Sequence, residues 1–265
     1  MKKNRINIIF LSLLFCSKIF AQSYTLLHST HPITKAKSSK ILLKGDKIEA
    51  SEMISIKDTA TKCAVIQNGK GIFLLKLPAA NNGLTSVVKN SIREFPKGMS
   101  SRTKPVQTLA DVINCFGQRT LLSGQMSIYF GKFPFALTDS NYFFVKILSG
   151  GQEIRKRLEH RNDTVYFFEK DLLSKEPTAT EPSETKVKIF YKVNNNTVTI
   201  TETTFISPAK ESLLKDVTLI NETMGKGNEN GKITTFGNYL SEFYGKCDET
   251  DVKALMKDLI KTEKK

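Results

Sequence analysis

The residues with chemistry to offer are few. Histidines stand at positions 28, 31 and 160, cysteines at 16, 63, 115 and 247, and an acidic group at Asp248, Glu249 and Asp251. His28 and His31 have the H-x-x-H spacing that, on a helix, turns two imidazoles to one face for a metal. Pro32 follows at once in a Ser/Thr-rich stretch, so the segment reads as a flexible N-terminal arm instead. His160 lies between Arg155-Lys156-Arg157 and Arg161, a setting for an exposed turn. A Cys-His nucleophile would have to come from Cys63, Cys115 or Cys247 with one of those histidines. Cys115 falls in an apolar helical pattern, where cysteine serves as a small core side chain, and Cys63 begins a strand. No G-x-S-x-G elbow is present. Gly69-Lys70-Gly71 and the glycine-rich stretch 225–232 lack phosphate-loop spacing and read as a hairpin turn and a loop. Asp248, Glu249 and Asp251 lack the EF-hand alternation and are explained as acids at a helix start. The expectation is no catalytic residue, no cofactor and no metal, hence not an enzyme.

Charge and aromatic pattern point to binding. The formal net charge is +14, carried mostly by scattered lysines, with Arg155-Lys156-Arg157 and the tail 257–265 the densest spots. Such a balance favours nucleic acid, anionic glycan or a membrane surface. No nucleic-acid motif or stacking platform is legible, so nucleic acid is not expected as a partner. Phe236, Tyr239, Phe243 and Tyr244 line one face of a C-terminal helical pattern. With Arg155 and Arg157 they are the expected interaction surface.

The first residues set the address. Lys2, Lys3 and Arg5 precede an uncharged, mostly apolar run over 6–15, and Ala21 is a small residue before Gln22, the order of a cleavable secretion signal. The run is shorter than the roughly 20 residues a membrane helix needs. Cys16 offers an alternative lipoprotein reading, against which Phe15 stands where a lipobox wants a small side chain. Removing residues 1–21 takes away four positive charges and leaves +10. Three cysteines then remain, which permits at most one disulfide and does not choose its pair. The expected location is the periplasm or cell surface of a Gram-negative bacterium, with no membrane span after cleavage.

The elements that must position these residues are mainly β with added α. Between 41 and 77 short strands alternate with turns, and Cys63-Ala64-Val65-Ile66-Gln67, Asn68-Gly69-Lys70-Gly71 and Ile72-Phe73-Leu74-Leu75 give a strong hairpin signal. Leu43-Lys44-Gly45-Asp46, a strand over 53–57 and that hairpin resemble the FecR-type or SH3-like β modules of exported Bacteroidetes-like proteins. The resemblance covers about residues 40–78 and implies a small barrel with a sensing or assembly role. Leu84, Val87, Val88, Ile92 and Phe95 predict one helix, and Pro105 with Val106, Leu109, Ile113 and Phe116 a second, ended by Gly117. From 126 to 206 strands recur about every ten residues, at 126–130, 133–137, 142–148, 153–158, 164–168, 186–193 and 197–203. These predict an immunoglobulin-like antiparallel sandwich, with 174–185 as a linker. Two stripes, 236–244 and 252–260, predict a C-terminal helical hairpin, with Thr250 as the N-cap of the second helix and 221–232 as a preceding loop.

The resulting division is a signal peptide 1–21, a small β module 22–80, a helical connector 81–118, a β-sandwich 119–206 and C-terminal helices 207–265. The expected function is an exported, non-enzymatic cell-envelope protein that binds, senses or assembles, with an envelope protein or an anionic polymer as partner. Two alternatives stand beside it: a carbohydrate or anionic-polymer binding protein, and a hydrolase whose carboxylates are dispersed in sequence.

Overall fold

The structure is a computed structural model that describes residues 22–58, 60–76, 84–100, 105–131, 136–149, 151–173, 181–225 and 229–263. The expected secretion segment, most of the strand expected over 133–137 and residues 174–180 of the expected linker lie outside them. The fold is α+β and mainly β. Among the described residues no helix is long and apolar enough to cross a membrane.

The N-terminal module contains β1 (Ser23–Ser29), β2 (Ile33–Lys35), β3 (Lys47–Glu49), β4 (Met53–Ile56), β5 (Cys63–Gln67), β6 (Gly71–Leu75), β7 (Leu84–Val87), the single turn α1 (Val88–Ser91) and β8 (Ile92–Arg93). They form sheets ordered β3-β1-β5-β6-β8 and β2-β4-β7 around a core of Leu26, Ile48, Ile54, Val65 and Leu75. The β5–β6 hairpin has the expected register, Cys63 opposite Leu75, with Gly69 at φ 68° in the turn. The helix expected over 84–95 is instead strand, turn and strand. β7 pairs with β4 from Met53↔Val87 to Ile56↔Leu84, and β8 pairs with β6. Its apolar residues fit helical spacing, yet β-branched Val87 and Ile92 also suit a pleated surface, and cross-strand pairing decided the outcome.

Next come β9 (Met99–Ser100), α2 (Leu109–Asn114), β10 (Arg119–Leu121), β11 (Gln125–Tyr129), β12 (Tyr142–Ser149), β13 (Gln152–Arg157), β14 (Glu159–Arg161), β15 (Thr164–Phe168), α3 (Glu169–Leu172), β16 (Ser183–Val193) and β17 (Asn196–Ser207). The expected second helix is shorter than its pattern and starts after Pro105. Thr108 and Asp111 form a capping box, while Val106 N–H donates to Tyr129 O and extends the chain along β11. Among the described residues of 81–118, where a helical connector was expected, strand and loop outnumber helix.

Sheets β10-β17-β16-β12-β13 and β11-β15-β14 face each other across a core that includes Phe143, Val145, Ile128, Phe167, Val187, Ile189 and Phe205. That is a sandwich, but β10 runs parallel to β17, so the larger sheet is mixed where a wholly antiparallel one was expected. β16 begins at Ser183, inside the expected linker.

Three helices close the chain: α4 (Lys210–Met224), α5 (Glu229–Tyr244) and, after β18 (Cys247–Asp248), α6 (Glu249–Glu263). Most of the loop expected over 221–232 is helical. Asp248, not Thr250, caps α6, its Oδ1 accepting from Thr250 N–H at 2.8 Å. The helices share one core with Leu27, Ala64, Ile66 and Ile72 of the N-terminal module and Leu121 and Ile206 of the sandwich. β5 is thus covered on both faces, Cys63 and Val65 facing its own module and Ala64 and Ile66 facing the helices, which is why it reads as a continuous apolar run.

Candidate functional site

The outer face of the five-stranded sheet is where charge and aromatic surface meet. Strand alternation sends Phe143, Val145 and Ile147 of β12 into the core and leaves Tyr142, Phe144 and Lys146 on the opposite face. β16 sends Val187, Ile189 and Tyr191 inward and Lys186, Lys188, Phe190 and Lys192 outward. Register places Phe144 opposite Phe190, and their rings stack at 5.0 Å with 9° between planes.

β13 supplies the arginines. Arg157 stands opposite Phe144 and Arg155 opposite Lys146. Each guanidinium leans to a diagonal neighbour on β12: Arg155 lies 3.8 Å over the Phe144 ring and Arg157 lies 4.3 Å over Tyr142. Lys146 sits 5.4 Å over Phe190, and Lys192 5.5 Å over Tyr142. Such contacts contribute about 0.5–1 kcal/mol each at exposed sites. Their larger effect here is orientation: a guanidinium lying on a ring aims its edge N–H groups along the face, where Arg157 Nη2 donates to Thr138 O at 3.1 Å and the other edge is turned toward an incoming anion.

Carboxylates offset part of this charge. Glu153 pairs with Lys146 at 2.6 Å and Asp139 with Arg157 at 3.4 Å. Glu202 lies 2.6 Å from Lys186 and 3.6 Å from Lys188, and hydrogen bonding to Lys186 holds its carboxyl below the usual range. Arg119 meets Glu184 at 2.9 Å. Among the described residues Arg155 and Lys192 have no ion-pair partner; Arg155 donates to Tyr142 Oη at 3.3 Å. The face carries cations Arg119, Lys146, Arg155, Arg157, Lys186, Lys188 and Lys192 against those four carboxylates, an excess of positive charge. Its central ring is covered, since Phe144 is 2% exposed, and the half-buried rings of Tyr142 and Phe190 each lie under a cation, so the face presents its cations outermost.

Of the expected interaction surface, then, Arg155 and Arg157 are exposed and fall together. The aromatic stripe does not join them. Phe236 and Tyr239 are fully buried, and Phe243 and Tyr244 are 5% and 6% exposed in the core between helices and N-terminal module. The stripe is corrected from interface to core: an amphipathic helix on a sheet turns its apolar face inward. Tyr142, Phe144, Phe190, Lys146 and Lys192 were the residues missed. Their signal was available in the two strands, where aromatic and cationic residues share the face opposite the aliphatic one.

A second polar cluster lies where the N-terminal module meets α4. Asp216, wholly buried, is 2.6 Å from Lys44 Nζ and accepts from Tyr239 Oη–H at 2.9 Å. Burial raises the Asp216 carboxyl, and Lys44 opposes the shift; burial likewise pushes the Tyr244 phenol to about 12. His28 is not in a flexible arm: it sits in β1, half-buried, its ring 4.8 Å from Phe243 in an edge contact. Desolvation, aided by Lys44, holds its pKa down at about 4, so the imidazole is neutral near pH 7. His28, His31, Lys44 and Ser212 line a shallow groove of about 380 Å³ above this cluster. The ion pair fastens the 43–46 turn to α4, as Lys62 with Glu242, 2.8 Å apart, fastens β5 to α5.

The remaining residues singled out by chemistry are dispersed through the fold. His160 belongs to β14, half-buried, where an exposed turn was expected. Cys63, Cys115 and Cys247 are buried thiols, and burial raises the Cys63 pKa. Among the described residues no group of three or more His, Cys, Asp or Glu side chains converges as a metal site would require. Comparison of the chain with protein-family models, with curated proteins and with solved structures gave no match.

Proposed function

We propose that the protein is an exported, non-enzymatic component of a Gram-negative cell envelope that binds an anionic polysaccharide on the outer face of the five-stranded sheet. The observation that carries this reading is the seating of Arg155 and Arg157 on Phe144 and Tyr142 beside Lys146 and Lys192. Guanidiniums pre-oriented on rings lose little freedom when they grip carboxylate or sulfate groups, so the cost of ordering them is already met in the free protein. Neutral sugars are disfavoured because their usual platform, an open aromatic face, is capped here. Single-stranded nucleic acid, which stacks bases on open rings, is disfavoured for the same reason and by the secretion signal.

The test is binding of the protein to a sulfated or uronic-acid polysaccharide, a neutral glucan and a single-stranded oligonucleotide across a salt series. Affinity for the polyanion should fall as salt rises. The Arg155→Ala/Arg157→Ala double variant should lose at least about tenfold, given the roughly 1.5–3 kcal/mol typical of hydrogen bonds to charged groups. Salt-independent binding, or unchanged affinity in the double variant, would remove the reading. Tighter binding of the oligonucleotide would replace polysaccharide by nucleic acid.

A further inference from the structure

β13 and β14 form one bent strand, interrupted at buried Leu158, that leaves the five-stranded sheet and joins the three-stranded one. Before the bend Arg155 and Arg157 project from the outer face of the first sheet. Past it, Glu159 lies opposite Tyr166 and Arg161 opposite Thr164, so both project from the outer face of the second.

The construction seen on the large face recurs there. Tyr166 and Phe168 stack at 5.9 Å with 12° between planes. Arg161 lies 5.8 Å over Tyr166, and Lys170 5.7 Å over Phe168. Glu159 approaches Arg161 only to 3.9 Å, and Lys170 has no ion-pair partner among the described residues. Between the two platforms, at the bend, is a groove of about 260 Å³ lined by Arg157, Leu158, Glu159, Tyr166, Phe168 and Asp171. Arg157 therefore belongs both to the large face and to the groove. Lys156 Nζ donates to the Asp171 carbonyl and ties the bend to α3.

We infer that the polyanion is bound as a chain that turns the corner of the sandwich along this strand, passing from Arg155 and Arg157 over the groove to a second subsite at Arg161 and Lys170. The inference rests on the anionic-polymer reading above and specifies its ligand. The six residue steps from Arg155 to Arg161 span roughly 20 Å along the backbone, so no single phosphate or monosaccharide reaches both ends. What fits is a flexible polymer carrying an anionic group on successive units. The cations, each laid on its own ring, define a track and not a point site.

The experiment uses the whole protein, size-fractionated sulfated dextrans from short oligomers upward, and the variant Arg161→Ala/Lys170→Ala. Both residues are exposed, and a circular-dichroism melt matching wild type confirms that the variant is folded. Affinity of the wild type should rise with chain length until the chain spans both subsites. In the variant the long fractions should bind about tenfold more weakly while the shortest fractions bind as before. Equal weakening of short and long fractions, or no weakening of either, overturns the corner-turning track. If the long fractions bind and only Arg155→Ala/Arg157→Ala weakens them, the track fails while the polymer reading survives. If no fraction binds the wild type in a salt-sensitive way, both fall together.

Discussion

Replacing Lys44 by methionine removes the cation paired with Asp216 and keeps a side chain of similar length. Asp216 is wholly buried and Lys44 is 29% exposed in its side chain, 2.6 Å away. Breaking a buried ion pair by removing one partner costs about 3–5 kcal/mol. Solvent at Lys44 puts this pair at the low end, about 3 kcal/mol. For a chain of this size that is a fall in Tm of roughly 6–12 °C. The loss should depend on pH in a definite direction. The folded-state pKa of Asp216 is already raised by burial, and Lys44 is the largest influence opposing that shift. Without Lys44 it rises further above the unfolded value of about 3.9. The folded variant then holds more protons than the unfolded chain, so its stability falls as pH rises through the folded pKa, and acidification recovers part of the loss. Urea unfolding at pH 5 and pH 7.5 reads both effects. Asp216→Asn added to Lys44→Met should restore most of the stability, because the amide carries no charge and still accepts from Tyr239. A cost under about 1 kcal/mol for Lys44→Met, or no recovery in the double variant, would refute the account of this cluster as a charge-paired fastening.

Other consequences of the packing are as direct. His28, with its pKa down at about 4, should show no NMR titration between pH 5.5 and 8. Because the unfolded chain takes up this proton first, His28 contributes a loss of stability as pH falls from about 6.5 toward 4; a titration midpoint near 6.5 would contradict its burial. Gly245→Ala should destabilise by roughly 3 kcal/mol, since Gly245 has φ 105° and an added Cβ would lie 2.5 Å from Arg119 C. Gly69→Ala, at φ 68° in the β5–β6 turn with nothing within 4 Å of the added atom, should cost only about 1 kcal/mol, and comparable urea midpoints for the two would contradict the close packing of Gly245. Cys63, buried with its thiol pKa raised, should resist iodoacetamide in the native protein and react only after unfolding; rapid native labelling detected by mass spectrometry would contradict the packing of β5.

Local pattern was sufficient where one element satisfied its own requirements. The β5–β6 hairpin was legible because Asn68-Gly69 supplies the turn and two apolar runs flank it. β16 and β17 were legible because apolar residues recur at every second position on both sides of Asn194-Asn195-Asn196, as Val187, Ile189, Tyr191 and Val193 and as Val198 and Ile200. The stripes of α5 and α6 gave the two helices and their apolar faces, but not what those faces would meet. Where a residue set suited two periods, as at 84–95, or where a cap overrode a proline, as at Thr108, the boundary depended on partners elsewhere in the chain. The candidate site was half legible in the same sense: Arg155-Lys156-Arg157 stood out as charge, but nothing nearby in the chain showed that Arg155 and Arg157 would rest on Phe144 and Tyr142.

By itself the sequence determined the mainly β character, the pairing of its longest hairpins, the amphipathic helices at its end and the excess of positive charge, because each follows from spacing within a dozen residues. Only the tertiary structure decided which aromatic groups face water. Phe236 and Tyr239 look like an adhesive stripe until two β layers close over them, and Phe144 and Phe190 look like core until register sets them on the outer side of a sheet beneath arginines from the next strand. The reason is that exposure belongs to the packing of layers, and a residue's position along its own strand or helix leaves open which face another layer will cover.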